Sequence, residues 1–155
     1  MAEIRDVDHG YRDLLRRVFG AAARRTRIDI GLLSESGGEP DGDSGATVLD
    51  VGIFNEFGTD TIPERSFIRA WFDEAEPKLR EDLTELMKSV IAGKRTKEQI
   101  LELLGQKTVG EIQERISAGI DPPNAPSTIA KKGSSTPLID TGTLRSSISY
   151  RVEEE

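Results

Sequence analysis

Apolar positions along the first thirty residues change period once. Tyr11, Leu14, Leu15, Val18, Phe19 and Ala22 recur at three- and four-residue steps, which predicts an amphipathic helix. Asp8 is placed to cap its start, and Arg24, Arg25 and Arg27 suit its negative C-terminal end. Arg27 to Leu32 then alternates polar and apolar residues and predicts a strand. Residues 34–46, SESGGEPDGDSGA, hold too little apolar surface for a core and predict a mobile acidic loop. Val48 to Phe57 fits a short helix or a strand, with Gly52 weakening both and Gly58 ending the segment.

The second half carries longer periods. Phe67, Trp71, Ala75, Leu79, Leu83, Leu86 and Val90 keep a helical step to about Ala92, where Gly93 can stop it. Pro77 must then lie in the first turn or kink that helix. Thr96-Lys97-Glu98-Gln99 is a capping-box pattern that opens another helix, with Ile100, Leu104, Ile112 and Ile116 as its stripe. Gly105 and Gly110 weaken its middle, Thr108 to Glu111 offers a restart, and Gly119 ends it. From Asp121 to Leu138 the chain is rich in Pro, Ser and Thr and predicts a loop. Ser146 to Val152 alternates again as a closing strand, and Glu153, Glu154 and Glu155 are expected to fray. There is no internal repeat of the solenoid kind. The pattern predicts one α+β domain over 1–155: a small antiparallel sheet packed against an N-terminal helix and two long helices, with extended loops.

Composition sharpens this picture. Hydrophobic residues make up 35% and charged residues 32%, against about 45–50% and about 25% in ordinary domains. The chain is lean in core, as expected of a protein that buries more surface on assembly. No cysteine is present, so disulfides and thiolate metal sites are excluded. The first residues lack the order of a secretory signal, and no apolar run is long enough for a bilayer, so a soluble protein with no membrane partner is expected. The net charge of −7 argues against a repressor or nuclease that grips duplex DNA. Charge is also segregated: residues 1–27 hold seven arginines against four acids, and residues 34–64 hold eight acids and no Lys or Arg. Two faces with different partners, or simply solvated loops, follow from that asymmetry.

Candidate chemistry is thin. Gly42-Asp43-Ser44-Gly45 copies the surroundings of a serine-protease nucleophile, yet the single His9 has no supporting motif. Glu39, Asp41 and Asp43 lack EF-hand spacing. Gly93-Lys94-Arg95 lacks the upstream Gly and the Ser/Thr of a phosphate-binding loop, and Lys131-Lys132 in a loop is weak as a phosphate site. No catalytic residue, cofactor site or metal site is assigned, and the expectation is not an enzyme.

Two stretches carry a more specific pattern. The first is Asn55-Glu56-Phe57-Gly58-Thr59 followed by Ile62-Pro63-Glu64-Arg65-Ser66-Phe67-Ile68-Arg69. The second runs from Pro122-Pro123-Asn124-Ala125-Pro126-Ser127-Thr128 through Lys131-Lys132-Gly133 to Pro137-Leu138-Ile139-Asp140-Thr141-Gly142-Thr143-Leu144-Arg145-Ser146-Ser147-Ile148. They resemble the "E-F-G-T … P-x-R-[PS]-F-[LI]-R" and "P-L-[IL]-D-T-G-x-L-R-x-S-I" signatures of tailed-phage neck, tail-completion and virion-morphogenesis proteins, in the same order. Ser66 stands where a second proline is common, and Asn124 where Leu is common. The resemblance implies a small α+β subunit of a ring, often a hexamer, at the head–tail junction. Its partners would be further copies of itself, connector or head-closure proteins, and tail-terminator or tail-tube proteins, with DNA passing through unbound. It implies synthesis in the bacterial cytoplasm and a place in the virion. It also marks Glu56, Phe57, Gly58, Thr59, Pro63, Arg65, Phe67, Arg69, Leu138, Asp140, Thr141, Gly142, Leu144 and Arg145 as candidate inter-subunit or partner contacts. Arg65 and Arg69, one helical turn apart, are placed to reach a neighbour's acids such as Glu56 or Asp60. Phe57 and Phe67 are read as core residues ahead of contacts, and Asp140-Thr141-Gly142 as a local cap for a turn holding Leu144. Glu35, Glu39, Asp41 and Asp43 are expected to face the opening and repel DNA. Ring contacts are expected to be heterologous. A tail-terminator or minor tail protein of the same particle is the alternative, and a non-viral protein-binding adaptor a more distant one.

Overall fold

A computed structural model describes residues 12–16, 20, 25–33, 37–38, 40 and 45–154. Residues 12–16 and Gly20 are helical, inside the predicted N-terminal helix, the rest of which lies outside the described residues. The elements that follow are β1 (Thr26–Leu32), α1 (Val48–Phe57), α2 (Arg69–Ile91), α3 (Lys97–Ala118), α4 (Pro126–Lys132), α5 (Thr143–Ser146) and β2 (Ile148–Glu154). The α+β prediction holds: β1 and β2 pair antiparallel from Thr26↔Glu154 to Leu32↔Ile148, alongside several helices.

Strand alternation explains how this ribbon is seated. Ile28, Ile30 and Leu32 stand opposite Val152, Tyr150 and Ile148 on one face. On the other face Arg27 opposes Glu153 and Asp29 opposes Arg151, joined by an Arg27–Glu153 ion pair of 2.6 Å and an Arg151–Asp29 pair of 3.6 Å. The predicted fray of Glu153 and Glu154 is therefore corrected: both continue the strand, because Arg27 supplies a cross-strand partner.

α3 packs on the ribbon's apolar face. Thr96 and Gln99 close a capping box at its start, as the sequence predicts, and Gly119 ends it at φ 88°. No break occurs at Gly105 or Gly110. Gly105 is instead a close approach: a Cβ there would lie 2.3 Å from the Tyr150 ring. Tyr150 lies over that helix and donates its hydroxyl to Glu102 at 2.5 Å.

One core joins Val48, Phe67, Trp71, Ile112, Ile116 and Ile148, with Leu138 and Leu144 closing it. A smaller cluster of Val90, Ile100 and Leu104 ties α2 to α3. Trp71 is thus a core residue, whereas Phe72 is 52% exposed. Glu74–Arg115 and Asp82–Lys107 bridge the two helices along one side of their seam.

Two open readings are settled, and one expectation is corrected. Val48–Phe57 is a helix, started by a Thr47–Asp50 capping box. Pro77 lies well inside α2 and not in its first turn; Asp73, whose carbonyl the ring leaves without an N–H partner, is exposed to water. The Pro/Ser/Thr-rich segment is not all loop, since Pro126 opens α4 and Gly133, at φ 71°, ends it.

Gly105→Ala is expected to lower stability. The clash with the Tyr150 ring should cost about 1–3 kcal/mol, outweighing the ~1 kcal/mol that alanine contributes to helix propensity. Urea midpoints test this, and in a Tyr150→Ala background the same substitution should stabilise.

Candidate functional site

The first signature is built around a carboxylate that points inward. Glu56 lies in the last turn of α1 and is 5% exposed. Its Oε2 accepts the backbone N–H groups of Phe67 at 2.8 Å and Ile68 at 3.0 Å. Its Oε1 accepts Arg69 N–H at 2.9 Å and the Ser66 hydroxyl at 2.7 Å. Ser66 Oγ in turn accepts Ala70 N–H at 3.0 Å. These are the donors that open a helix and have no partner within it. Glu56 therefore caps α2 from another helix and sits at the positive end of its dipole. Arg69 wraps the same group, donating Nε to Oε1 at 3.2 Å and Nη2 to the Glu56 carbonyl at 2.8 Å, and also to Glu64 at 2.7 Å.

The electrostatics follow. Burial pushes the Glu56 carboxyl up, but the hydrogen bonds from Ile68, Ser66, Arg69 and Phe67 outweigh it and hold the pKa below the ordinary value. Burial pulls the Arg69 guanidinium down, and its contacts with Glu64 and Glu56 more than reverse this. At Arg65 burial alone lowers the pKa.

The link between α1 and α2 has little freedom. Gly58 turns the chain at φ 72°, and a Cβ there would meet Glu64 N at 3.0 Å and Ile62 O at 3.2 Å. Thr59 Oγ1 accepts the N–H groups of Thr61 and Ile62, at 3.3 and 3.0 Å. Arg65 is 6% exposed and donates Nε to the Pro122 carbonyl at 2.7 Å and Nη2 to the Pro123 carbonyl at 3.2 Å. The two signatures, more than fifty residues apart, are thereby clamped to each other.

The second signature closes the opposite wall. Leu138 is 9% exposed and adopts φ 63°, a left-handed conformation that costs an L side chain energy. Within the expected Asp140-Thr141-Gly142 cap it is Thr141 Oγ1 that accepts Thr143 N–H, at the start of α5. Gly142 turns at φ 86°, Leu144 enters the core, and Arg145 donates to Ser117 Oγ at 3.0 Å. Between the two signatures lies an open cleft of ≈740 Å³, lined by Val51, Phe54, Ile62, Pro63, Leu138 and Leu144 among others.

The contact residues expected from the sequence thus divide. Glu56, Arg65, Phe67, Leu138 and Leu144 are buried inside the chain. Arg65 and Arg69, expected to reach a neighbour's acids, are engaged within their own subunit. Gly58 is a turn, and Thr59, Pro63, Asp140, Thr141 and Arg145 are exposed. Phe57 is not a core residue: it is 59% exposed, with the Arg69 guanidinium 4.6 Å from its ring centroid. Sequence reasoning passed over Ile53 and Phe54, which are 46% and 39% exposed on the same helix. The available signal was that α1 is apolar on every side.

His9, Ser44 and the acidic set Glu35, Glu39, Asp41 and Asp43 lie outside the described residues. Among the described residues no group of His, Cys, Asp and Glu is gathered as a metal site, and no helix is long and apolar enough to cross a membrane. The chain matches no protein-family model, no curated protein and no solved structure.

Glu56→Ala is expected to cost about 3–5 kcal/mol, because it strands buried N–H groups and removes a charge-assisted cap. Glu56→Gln should cost less. The depressed carboxyl stabilises the fold fully above its ordinary value of 4.5, and that contribution is lost as pH falls through the depressed pKa. The gap between wild type and Glu56→Gln should therefore narrow on acidification, as read by urea denaturation across pH.

Proposed function

We propose that this chain is a structural subunit of a tailed-phage particle, forming a ring at the head–tail junction as a neck or tail-completion protein. The observation that carries the reading is the ordered pair of signatures, at residues 55–69 and 122–148, which resemble those of that group. Their physical roles support it. One signature caps α2 through Glu56, the other supplies the carbonyls that Arg65 holds, and together they build one rigid bracket. A bracket whose polar groups are turned inward on each other suits a part that must keep its shape under load.

The second support is the apolar surface left outside. Ile53, Phe54, Phe57 and Phe72 are exposed on a chain short of core-forming residues. Exposed large apolar side chains of this kind mark protein–protein contact. Within this reading the neighbours are other copies, a connector or head-closure ring, and a tail-terminator or tail-tube ring. On this reading Glu35, Glu39, Asp41 and Asp43 face the opening and keep DNA from adhering. The chain is made in the host cytoplasm and ends in the virion.

Electron microscopy of purified particles tests the proposal. A tag on this chain should map between connector and tail tube, and a nonsense mutation should leave filled heads and separate tails. Mapping to the distal tail, or particles that join normally without the chain, would rule the neck assignment out.

A further inference from the structure

The last turns of α1 have their polarity reversed. A surface helix normally buries apolar side chains and exposes charge. Here Glu56 is buried, and Ile53 and Phe57, one turn apart, face outward at 46% and 59% exposure. Asp60, three residues on, is exposed and has no ion-pair partner among the described residues. This end of the molecule offers an apolar ridge with an uncompensated negative charge beside it.

The complementary surface lies at the far end of α2. Ile91, the last residue of that helix, is 47% exposed, and the turn into α3 carries Lys94 and Arg95. Both are exposed and, among the described residues, neither meets a carboxylate. Their neighbours on α2 and α3 differ, since Lys78, Arg80, Lys88, Lys107 and Arg115 are each paired with an acid. The tip is an apolar anchor with two uncompensated cations.

The two surfaces cannot meet within one chain. Arg69, at the start of α2, lies against Phe57 and Glu56. Ile91 is 22 residues further along the same 23-residue helix, which separates the ends by about 33 Å. A ridge and a matching tip at opposite ends of a stiff rod can meet in another copy, joined head to tail.

We infer that the α2–α3 tip of one copy, through Ile91, Lys94 and Arg95, docks on the outward face of α1 at Ile53, Phe57 and Asp60 of the next copy. This rests on the ring reading above and names its subunit contact. It also moves that contact away from the buried residues of the signatures. Duplex DNA is the competing occupant of the tip, and the net charge of −7 disfavours it.

Native mass spectrometry and light scattering of the full purified chain, across concentration and salt, provide the test. Wild type should assemble beyond a dimer and dissociate as salt rises. Lys94→Glu/Arg95→Glu should weaken association roughly 100-fold, as reversed charges in an interface repel. Asp60→Lys alone should weaken it too, and all three changes in one chain should restore it. Phe57→Ser should abolish assembly without changing the circular dichroism spectrum. A monomer under all conditions overturns the inference, as does a charge-reversed chain that assembles like wild type. It is equally overturned if the tip variant loses duplex-DNA binding, read by fluorescence anisotropy, while self-association is intact. Failure of the neck reading is distinct: it would appear as normal assembly of a protein that particles lack.

Discussion

The fold turns on one carboxylate. By accepting Phe67, Ile68 and Arg69 N–H, Glu56 supplies what the start of α2 lacks, and does so from a different helix. That fixes the angle at which α2 leaves α1, and so where Phe67 and Trp71 enter the core. Buried charge is costly unless it is fully hydrogen-bonded. Here the donors are backbone groups that would otherwise be orphaned, so the helix end and the carboxylate each satisfy the other.

The inward turn of Glu56 has an outward consequence. α1 cannot place both its acid and its phenyl groups inside, and Phe57 is left on the surface under the Arg69 guanidinium. Arg65 extends the same logic to the second signature, because its buried guanidinium ties residues 122 and 123 to the first. Of the residues that a motif comparison marks as contacts, Glu56, Arg65, Phe67, Leu138 and Leu144 are thus internal scaffolding. The surface available for assembly is what that scaffolding leaves exposed: one face of α1, the outer side of α2, and the tip beyond Ile91.

Much of the architecture was legible in the sequence, and the reasons differ by element. Both strands follow from alternation, since a ribbon covered on one face must alternate. α3 was legible at both ends because Thr96, Gln99 and Gly119 are chemical stop and start signals. α1 was ambiguous because a helix apolar on all sides has no period to read. α4 was missed because Pro126 and Gly133 bracket a segment whose composition reads as loop. The candidate site was less legible. Residue types in a motif do not state direction, and nothing local in Asn55-Glu56-Phe57 says that the acid turns in and the phenyl out. That follows only from where α2 begins, which is tertiary information.

Hydrogen exchange at the start of α2 tests the central claim most directly. If Glu56 caps the helix from within the fold, the amides of Phe67, Ile68 and Arg69 should be protected nearly as well as those of Ile112 and Ile116 in α3. Exchange of those three amides at the rate of an open loop, with α3 protected, would contradict the account.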